Sequence, residues 1–167
     1  MSTTTSDYKL NPGDAAPDIA LPVYSEAAPE GTLKLSDFEG KWVILYFYPK
    51  DSTPGCTTES CGFRDALPDF SAADAVILGV SRDSLKSHAN FTAKQGLNFP
   101  LISDKDEALC KAFDVMQLKK NYGREYMGVE RSTFIINPEG DVAYAWRGVK
   151  VKGHVEEVLE TLRELQS

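Results

Sequence analysis

Seven consecutive apolar residues, Trp42-Val-Ile-Leu-Tyr-Phe-Tyr48, run into Pro49 and the polar loop Lys50-Asp-Ser-Thr-Pro-Gly55. The run is too short to cross a bilayer, which takes about 20 residues. Aromatic and β-branched throughout, with no polar alternation, it reads as a central strand covered on both faces. A strand of that kind needs further layers of structure on either side of its sheet.

The flanking segments supply those layers. After the loop, Cys56 opens a segment with Phe63, Leu67 and Phe70 at helical spacing, which places Cys56 at a helix N-terminus. Val76-Ile-Leu-Gly-Val80 reads as a second buried strand, and residues 83–95, with Leu85, Ala89 and Thr92 on one face, as the helix after it. A short strand around Leu101-Ile102 and a helix from Asp106 to Phe113 follow. Ser132-Thr-Phe-Ile-Ile136, the turn Asn137-Pro-Glu-Gly140 and Asp141-Val-Ala-Tyr-Ala-Trp146 form an antiparallel pair. Val155, Val158, Leu159, Leu162 and Leu165 repeat at helical spacing, so a helix starting near Lys152-Gly153-His154 closes the chain. Upstream, Ile19, Leu21 and Val23, then Leu33 and Leu35, flank turns and suit a short hairpin or edge strands. Parallel βαβ units, a hairpin and a closing helix give an α/β, thioredoxin-like fold, a mixed central sheet with helices on both faces.

A chain of 167 residues is enough for one core. Residues 1–10, polar and aperiodic, are expected as a flexible N-terminal tail and residues 11–167 as a single domain. With 18 basic against 25 acidic residues the net charge is −7, which repels phosphates and anionic lipid, so neither nucleic acid nor membrane is an expected partner. Met1-Ser-Thr-Thr-Thr-Ser-Asp7 carries no secretory or transit pattern, and a reducing cytoplasm is the expected compartment. Three cysteines are too few, and odd in number, for a disulfide framework; each thiol is read by itself.

Cys56 has the most informative setting. Free backbone N–H groups and the helix dipole favour negative charge at a helix start, and the thiolate is the nucleophilic form of cysteine. The plainer alternative is a small buried side chain that happens to open a helix.

Pro49-Lys-Asp-Ser-Thr53-Pro-Gly-Cys56 resembles the Pro-x-x-x-Thr-x-x-Cys signature of peroxiredoxins. Cys56-Thr-Thr-Glu-Ser-Cys61 is similar to the two-cysteine version in their bacterioferritin-comigratory (BCP, or PrxQ) branch. The likeness extends through Gly13-Asp-Ala-Ala-Pro-Asp18, Leu35-Ser-Asp-Phe-Glu-Gly-Lys41, Gly128-Val-Glu-Arg-Ser-Thr-Phe134 and Val149-Lys-Val-Lys-Gly-His154, and departs at Ile19, where the family usually carries Phe. It implies a thiol-dependent peroxidase for hydrogen peroxide and organic hydroperoxides, mostly monomeric, recycled by thioredoxin or a similar dithiol, with no cofactor and no metal. It also implies that Cys56 is the peroxidatic cysteine, Cys61 the resolving one, Thr53 a hydroxyl bonding thiolate and peroxide, Pro49 a shield against water and Arg131 the residue completing the pocket. The chemistry suits these types, since attack on an O–O bond needs a thiolate, a fixed approach line and donors for the departing oxygen. Arginine supplies permanent charge and several fixed donors. A charged Arg131 beside a strand and a turn Thr53 are the ordinary alternatives.

Other residues carry two readings. Glu59 either orients Arg131 or simply favours the helix N-terminus. Tyr48 lines the pocket beside Pro49 or, like Trp42, Tyr46 and Trp146, is a core aromatic. In an intact helix a separation of five residues puts Cα atoms about 8.6 Å apart, beyond the roughly 7 Å a disulfide spans. If Cys61 resolves, the first turns must unwind; otherwise it fills a gap on the helix. Cys110, among Leu109, Ala112 and Phe113, is an inert buried thiol or a second candidate for resolution. His88 and His154 have no ligand spacing to any cysteine and are expected at the surface, which argues against a zinc site. Lys119, Lys120 and Arg124, and the Arg147-Lys150-Lys152 group, are solvated faces or a reductase docking surface. A general dithiol oxidoreductase is disfavoured because that chemistry uses Cys-x-x-Cys; a redox sensor or holdase using the same disulfide remains a third reading.

Overall fold

The computed structural model describes residues 8–167. Within them the elements run β1 (Leu21–Tyr24), β2 (Gly31–Leu33), a 3-10 turn (Leu35–Phe38), β3 (Trp42–Phe47), α1 (Pro54–Ala72), β4 (Ala75–Ser81), α2 (Leu85–Gln95) and β5 (Leu101–Ser103). Then come α3 (Ala108–Ala112), β6 (Met116–Asn121), β7 (Arg124–Val129), β8 (Ser132–Ile136), β9 (Val142–Arg147) and α4 (His154–Gln166). A seven-stranded sheet has the order β2-β1-β5-β4-β3-β8-β9. The pairs β3/β4 and β4/β5 are parallel, whereas β3/β8, β8/β9, β1/β5 and β1/β2 are antiparallel.

The unbroken apolar run is explained by where β3 lies. Successive side chains of a strand point to opposite faces. Val43, Leu45 and Phe47 pack with Leu78, Val80, Phe113 and Phe134 on one face. Ile44, Tyr46 and Tyr48 pack with Phe63, Phe70, Phe91, Val158 and Leu162 of α1, α2 and α4 on the other. Helices therefore cover both faces, with α3 on the first, as expected.

Several expectations are revised. Residues 1–7 of the anticipated tail lie outside the described residues, but Leu10 is buried in the core and its carbonyl accepts from Arg147 Nη2 at 2.9 Å. The Arg147 guanidinium lies 3.9 Å from the centre of the Tyr8 ring, so Arg147 belongs to a packed contact and not to a solvated face. Residues 8–10 are thus tied to the domain. α3 is shorter than expected because Glu107 has φ +65°, outside the helical region, and the Asp104 carboxylate instead accepts the amides of Leu109 and Cys110. The inner face of α2 is His88, Phe91 and Thr92, with Leu85 and Ala89 at its margin.

The hairpin β6/β7 had no sequence expectation. Its turn residues Tyr122 and Gly123 both have positive φ, 53° and 77°, the geometry that suits a two-residue hairpin loop. Outside the main sheet it leaves Leu118 and Met127 more than half exposed, so no buried face imposes an alternating pattern.

His88 and His154, expected at the surface, are both buried. The His88 ring has acceptors at each nitrogen, Asp51 Oδ2 at 2.7 Å and the Ile102 carbonyl at 2.9 Å. His154 Nε2 lies 2.8 Å from Thr133 Oγ1, and its ring packs edge-on against Phe63 and Trp146. Burial is accommodated by these contacts, through both ring nitrogens of His88 and through Nε2 of His154.

Candidate active site

The chain leaves the sheet at the end of β3, where the Tyr48 amide donates to the Val80 carbonyl at 3.0 Å. Pro49, half-buried, prevents continuation of the ladder, and Ser52, with φ +66°, turns the loop towards α1. Thr53 is the N-cap in extended conformation, and Pro54 fits the first helical position because an amide there has no helical partner. Cys56 is consequently the third residue of α1, and only 1% exposed.

Opposite it stands Arg131, on the connection from β7 to β8. The register that pairs Phe47 with Ser132 brings this residue to the end of β3 from which the loop departs. Arg131 Nη2 donates to Cys56 Sγ at 3.4 Å, and Nη1 donates to Glu59 Oε1 at 2.7 Å. Cys56 and Glu59 are three residues apart on α1, so one guanidinium reaches both. Gly55 makes room for it: a Cβ there would lie 3.1 Å from Arg131 Nη2.

The remaining expected site residues are nearby but differently engaged. Thr53 Oγ1 donates to the Lys50 carbonyl at 2.8 Å. Tyr48 is fully buried and donates to Asp51 Oδ1 at 2.6 Å, which makes it a core aromatic that holds the loop. Cys61 lies half-buried farther along α1, 3.5 Å from Arg64 Nη1 and 3.6 Å from Gln95 Oε1. All three cysteines are free thiols. Cys110 is wholly buried in the packing on the sheet face opposite Cys56, where burial and the neighbouring Asp104 push its thiol well above the ordinary value. Among the described residues no cluster of three or more His, Cys, Asp or Glu is placed to hold a metal ion, and no helix is long and apolar enough to cross a membrane.

Asp51 was not anticipated. Buried beneath the loop, it accepts hydrogen bonds from Tyr48, from Ser87 at 2.8 Å and from His88, while its amide donates to Asp83 at 2.8 Å. This fastens the loop bearing Thr53 to the start of α2. The one sequence trace was Ser84-x-x-Ser87, where the Ser84 hydroxyl accepts the Ser87 amide as an N-cap.

Burial pushes Glu59 up to about 7, with Arg131 pulling the other way, and Glu59 Oε2 is buried without a hydrogen-bond partner. Burial also opposes the charge on Arg131, yet Glu59 and the Cys56 sulfur hold it above the usual arginine value. His154 is pushed down to about 4 by burial, aided by Arg131 and opposed by Glu157. Between about 4.5 and 7 the folded protein therefore holds a proton on Glu59 that the unfolded chain releases, and this group's contribution to stability falls as pH rises. For His154 the unfolded chain binds the extra proton between about 4 and 6.5, so its contribution is complete above 6.5 and lost on acidification. Urea unfolding of the reduced protein at pH 4.5 and 7 is expected to show Glu59→Gln gaining stability over wild type at pH 7, and His154→Gln gaining at the acid end. Parallel pH profiles for wild type and Glu59→Gln would show that burial does not hold this carboxyl protonated.

The sequence profile of the AhpC/TSA family matches residues 12–145. The chain is 57% identical over 143 residues to Peroxiredoxin Bcp of Xanthomonas campestris, covering 86% of this chain and 88% of that protein. It is 53% identical over 153 residues to Peroxiredoxin Bcp of Bacillus subtilis, covering 92% and 95%. A solved structure of the Xanthomonas campestris bacterioferritin comigratory protein, described for its alkyl peroxide reduction activity, superposes with a TM-score of 0.85 at 50% identity, over 96% of this chain and 100% of that one.

Proposed function

The chain belongs to the AhpC/TSA family, in the Bcp/PrxQ branch of the peroxiredoxins, and from that membership we propose that it reduces hydrogen peroxide and organic hydroperoxides through Cys56. The observation carrying this reading is the buried Cys56 sulfur at the start of α1 with Arg131 Nη2 at 3.4 Å. The thioredoxin-like fold and the thiol peroxidase class are common ground with its relatives.

The Cys56 thiolate attacks the terminal oxygen of ROOH. The sulfur–oxygen bond forms as the O–O bond breaks, and the departing alkoxide takes a proton to leave as ROH, so Cys56 becomes a sulfenic acid. Arg131 faces the sulfur throughout and offers donors to the oxygen on which charge develops. Thr53 adds a hydroxyl once it turns from Lys50, and Pro49 keeps water from the pocket. Glu59 fixes the guanidinium from behind, through the 2.7 Å contact. Cys61 then attacks the sulfenic sulfur, giving the Cys56–Cys61 disulfide and water. Thioredoxin or a similar dithiol returns two electrons by thiol–disulfide exchange. No cofactor or metal enters this cycle, and a monomer in the cytoplasm suffices for it. The alkyl peroxide activity named for the Xanthomonas relative favours including organic hydroperoxides.

The test is oxidation of the reduced protein by one equivalent of hydrogen peroxide or an alkyl hydroperoxide, with peptide mapping, followed by turnover with thioredoxin, thioredoxin reductase and NADPH. Consumption of peroxide with a Cys56–Cys61 disulfide is the expected result. No consumption would overturn the function, and a Cys56–Cys110 disulfide the choice of Cys61. Slow turnover, with a partner bound in one redox state only, would point to sensing.

A further inference from the structure

Arg64 follows Cys61 by three residues on α1 and therefore lies on the same side of the helix. Its Nη1 contacts Cys61 Sγ at 3.5 Å and donates to the Gln95 carbonyl at 2.5 Å. Gln95 is the last residue of α2, and carbonyls at a helix end lack partners within their own helix. The Arg64 backbone is tied to the same region. Pro68, four residues on, has no N–H to give the Arg64 carbonyl, which accepts instead from Asn98 Nδ2 at 3.2 Å. Side chain and main chain of one residue thus fasten α1 to the end of α2, immediately beyond Cys61. Each cysteine of the proposed pair has an arginine of its own, Arg131 at Cys56 and Arg64 at Cys61.

We propose that Arg64 is a catalytic group for disulfide formation: its guanidinium, in contact with the Cys61 sulfur, keeps that sulfur in place and steadies the negative charge on it as it attacks the Cys56 sulfenic acid. This rests on the reading of Cys61 as the resolving cysteine. An ordinary thiol is only a few per cent ionised at neutral pH, and an adjacent guanidinium favours the ionised form. In the step, the Cys61 thiolate donates its electron pair to the Cys56 sulfur, the S–S bond forms and the S–O bond breaks. Hydroxide leaves and takes up a proton to become water; Cys61 is oxidised and the sulfenic sulfur reduced. Because α1 is anchored from Arg64 onward, unwinding of its first turns moves Cys56 and leaves Cys61 beside its cation.

The experiment compares wild type, Arg64→Met and Arg64→Lys in the full chain, by rapid mixing with peroxide and quenching for mass spectrometry. Sulfenic acid formation at Cys56 is expected within about twofold of wild type in all three. Disulfide formation in Arg64→Met is expected to slow about tenfold, and Arg64→Lys to recover most of that loss, since it keeps the charge. At high peroxide the slowed variant should accumulate Cys56 sulfinic acid, because its sulfenic acid persists longer. A second measurement, made without turnover, is alkylation of Cys61 at neutral pH in a Cys56→Ser background, which Arg64→Met should slow by a similar factor. Disulfide formation at the wild-type rate in Arg64→Met would overturn the proposal, as would Arg64→Lys being equally slow, which would reduce Arg64 to a structural clamp. Absence of any Cys56–Cys61 disulfide in wild type would instead refute the reading beneath it.

Discussion

Cys56→Ser is expected to consume no peroxide above background, and Arg131→Met to retain on the order of one part in 10² to 10³ of the wild-type rate of sulfenic acid formation. The two losses differ in kind. Serine at position 56 keeps the helix start but replaces the sulfur with a hydroxyl, far less acidic and less nucleophilic than a thiol, so the nucleophile is gone. Methionine at position 131 removes a cation that touches both Cys56 Sγ and Glu59. The nucleophile then persists without its fixed donors, while a buried carboxyl loses its partner. A stable Arg131→Met protein is best read beside Glu59→Gln, which keeps a hydrogen-bond acceptor for Nη1 and should lose far less activity. Stopped-flow oxidation with one equivalent of peroxide measures all three variants. Near-normal rates in Arg131→Met would assign Cys56 reactivity to the helix start alone.

Oxidation to the Cys56–Cys61 disulfide is expected to melt the first turns of α1. The helix is continuous from Pro54 to Ala72, and a separation of five residues leaves Cα atoms about 8.6 Å apart, beyond disulfide reach. Melting breaks the hydrogen bonds from Thr58 Oγ1 to the Pro54 carbonyl at 3.0 Å, between the Tyr46 and Ser60 hydroxyls at 2.8 Å and from Arg131 to Glu59. Hydrogen exchange of amides 57–63 should accelerate by about 100-fold or more on oxidation, while Trp42–Phe47 keeps its protection. Cys61→Ser should reduce one equivalent of peroxide, keep the helix and lose turnover with thioredoxin by about 100-fold or more. Unchanged exchange in oxidised protein with the disulfide confirmed would mean that the bond forms without unwinding.

The legible part of this molecule was local. The strand Trp42–Phe47 was visible because an apolar run without alternation fits only a position covered on both faces. A cysteine at the head of α1 was visible because a proline, a loop and helical spacing follow one another within a few residues, and the misfit of a disulfide in an intact helix followed from that alone. The hairpin β6/β7 was invisible for the converse reason, since it buries too little to pattern its residues.

By itself, then, the sequence determined the layered sheet, the loop-to-helix junction and which sulfur sits on it, because strand pleat, helix rise and turn chemistry act between near neighbours. The family resemblance placed Arg131 in the Cys56 pocket, but only the tertiary structure decided how it comes to lie there and what the other polar groups meet. Arg131 reaches Cys56 across 75 positions because β8 pairs with β3 in one register, and His88 meets Asp51 across 37 because α2 packs against the loop. Cys110, a thiol like the others by type, is separated from the site by the sheet itself. Partners of buried charges are selected by packing in three dimensions, where an unsatisfied group is costly, and spacing along the chain carries no record of that choice.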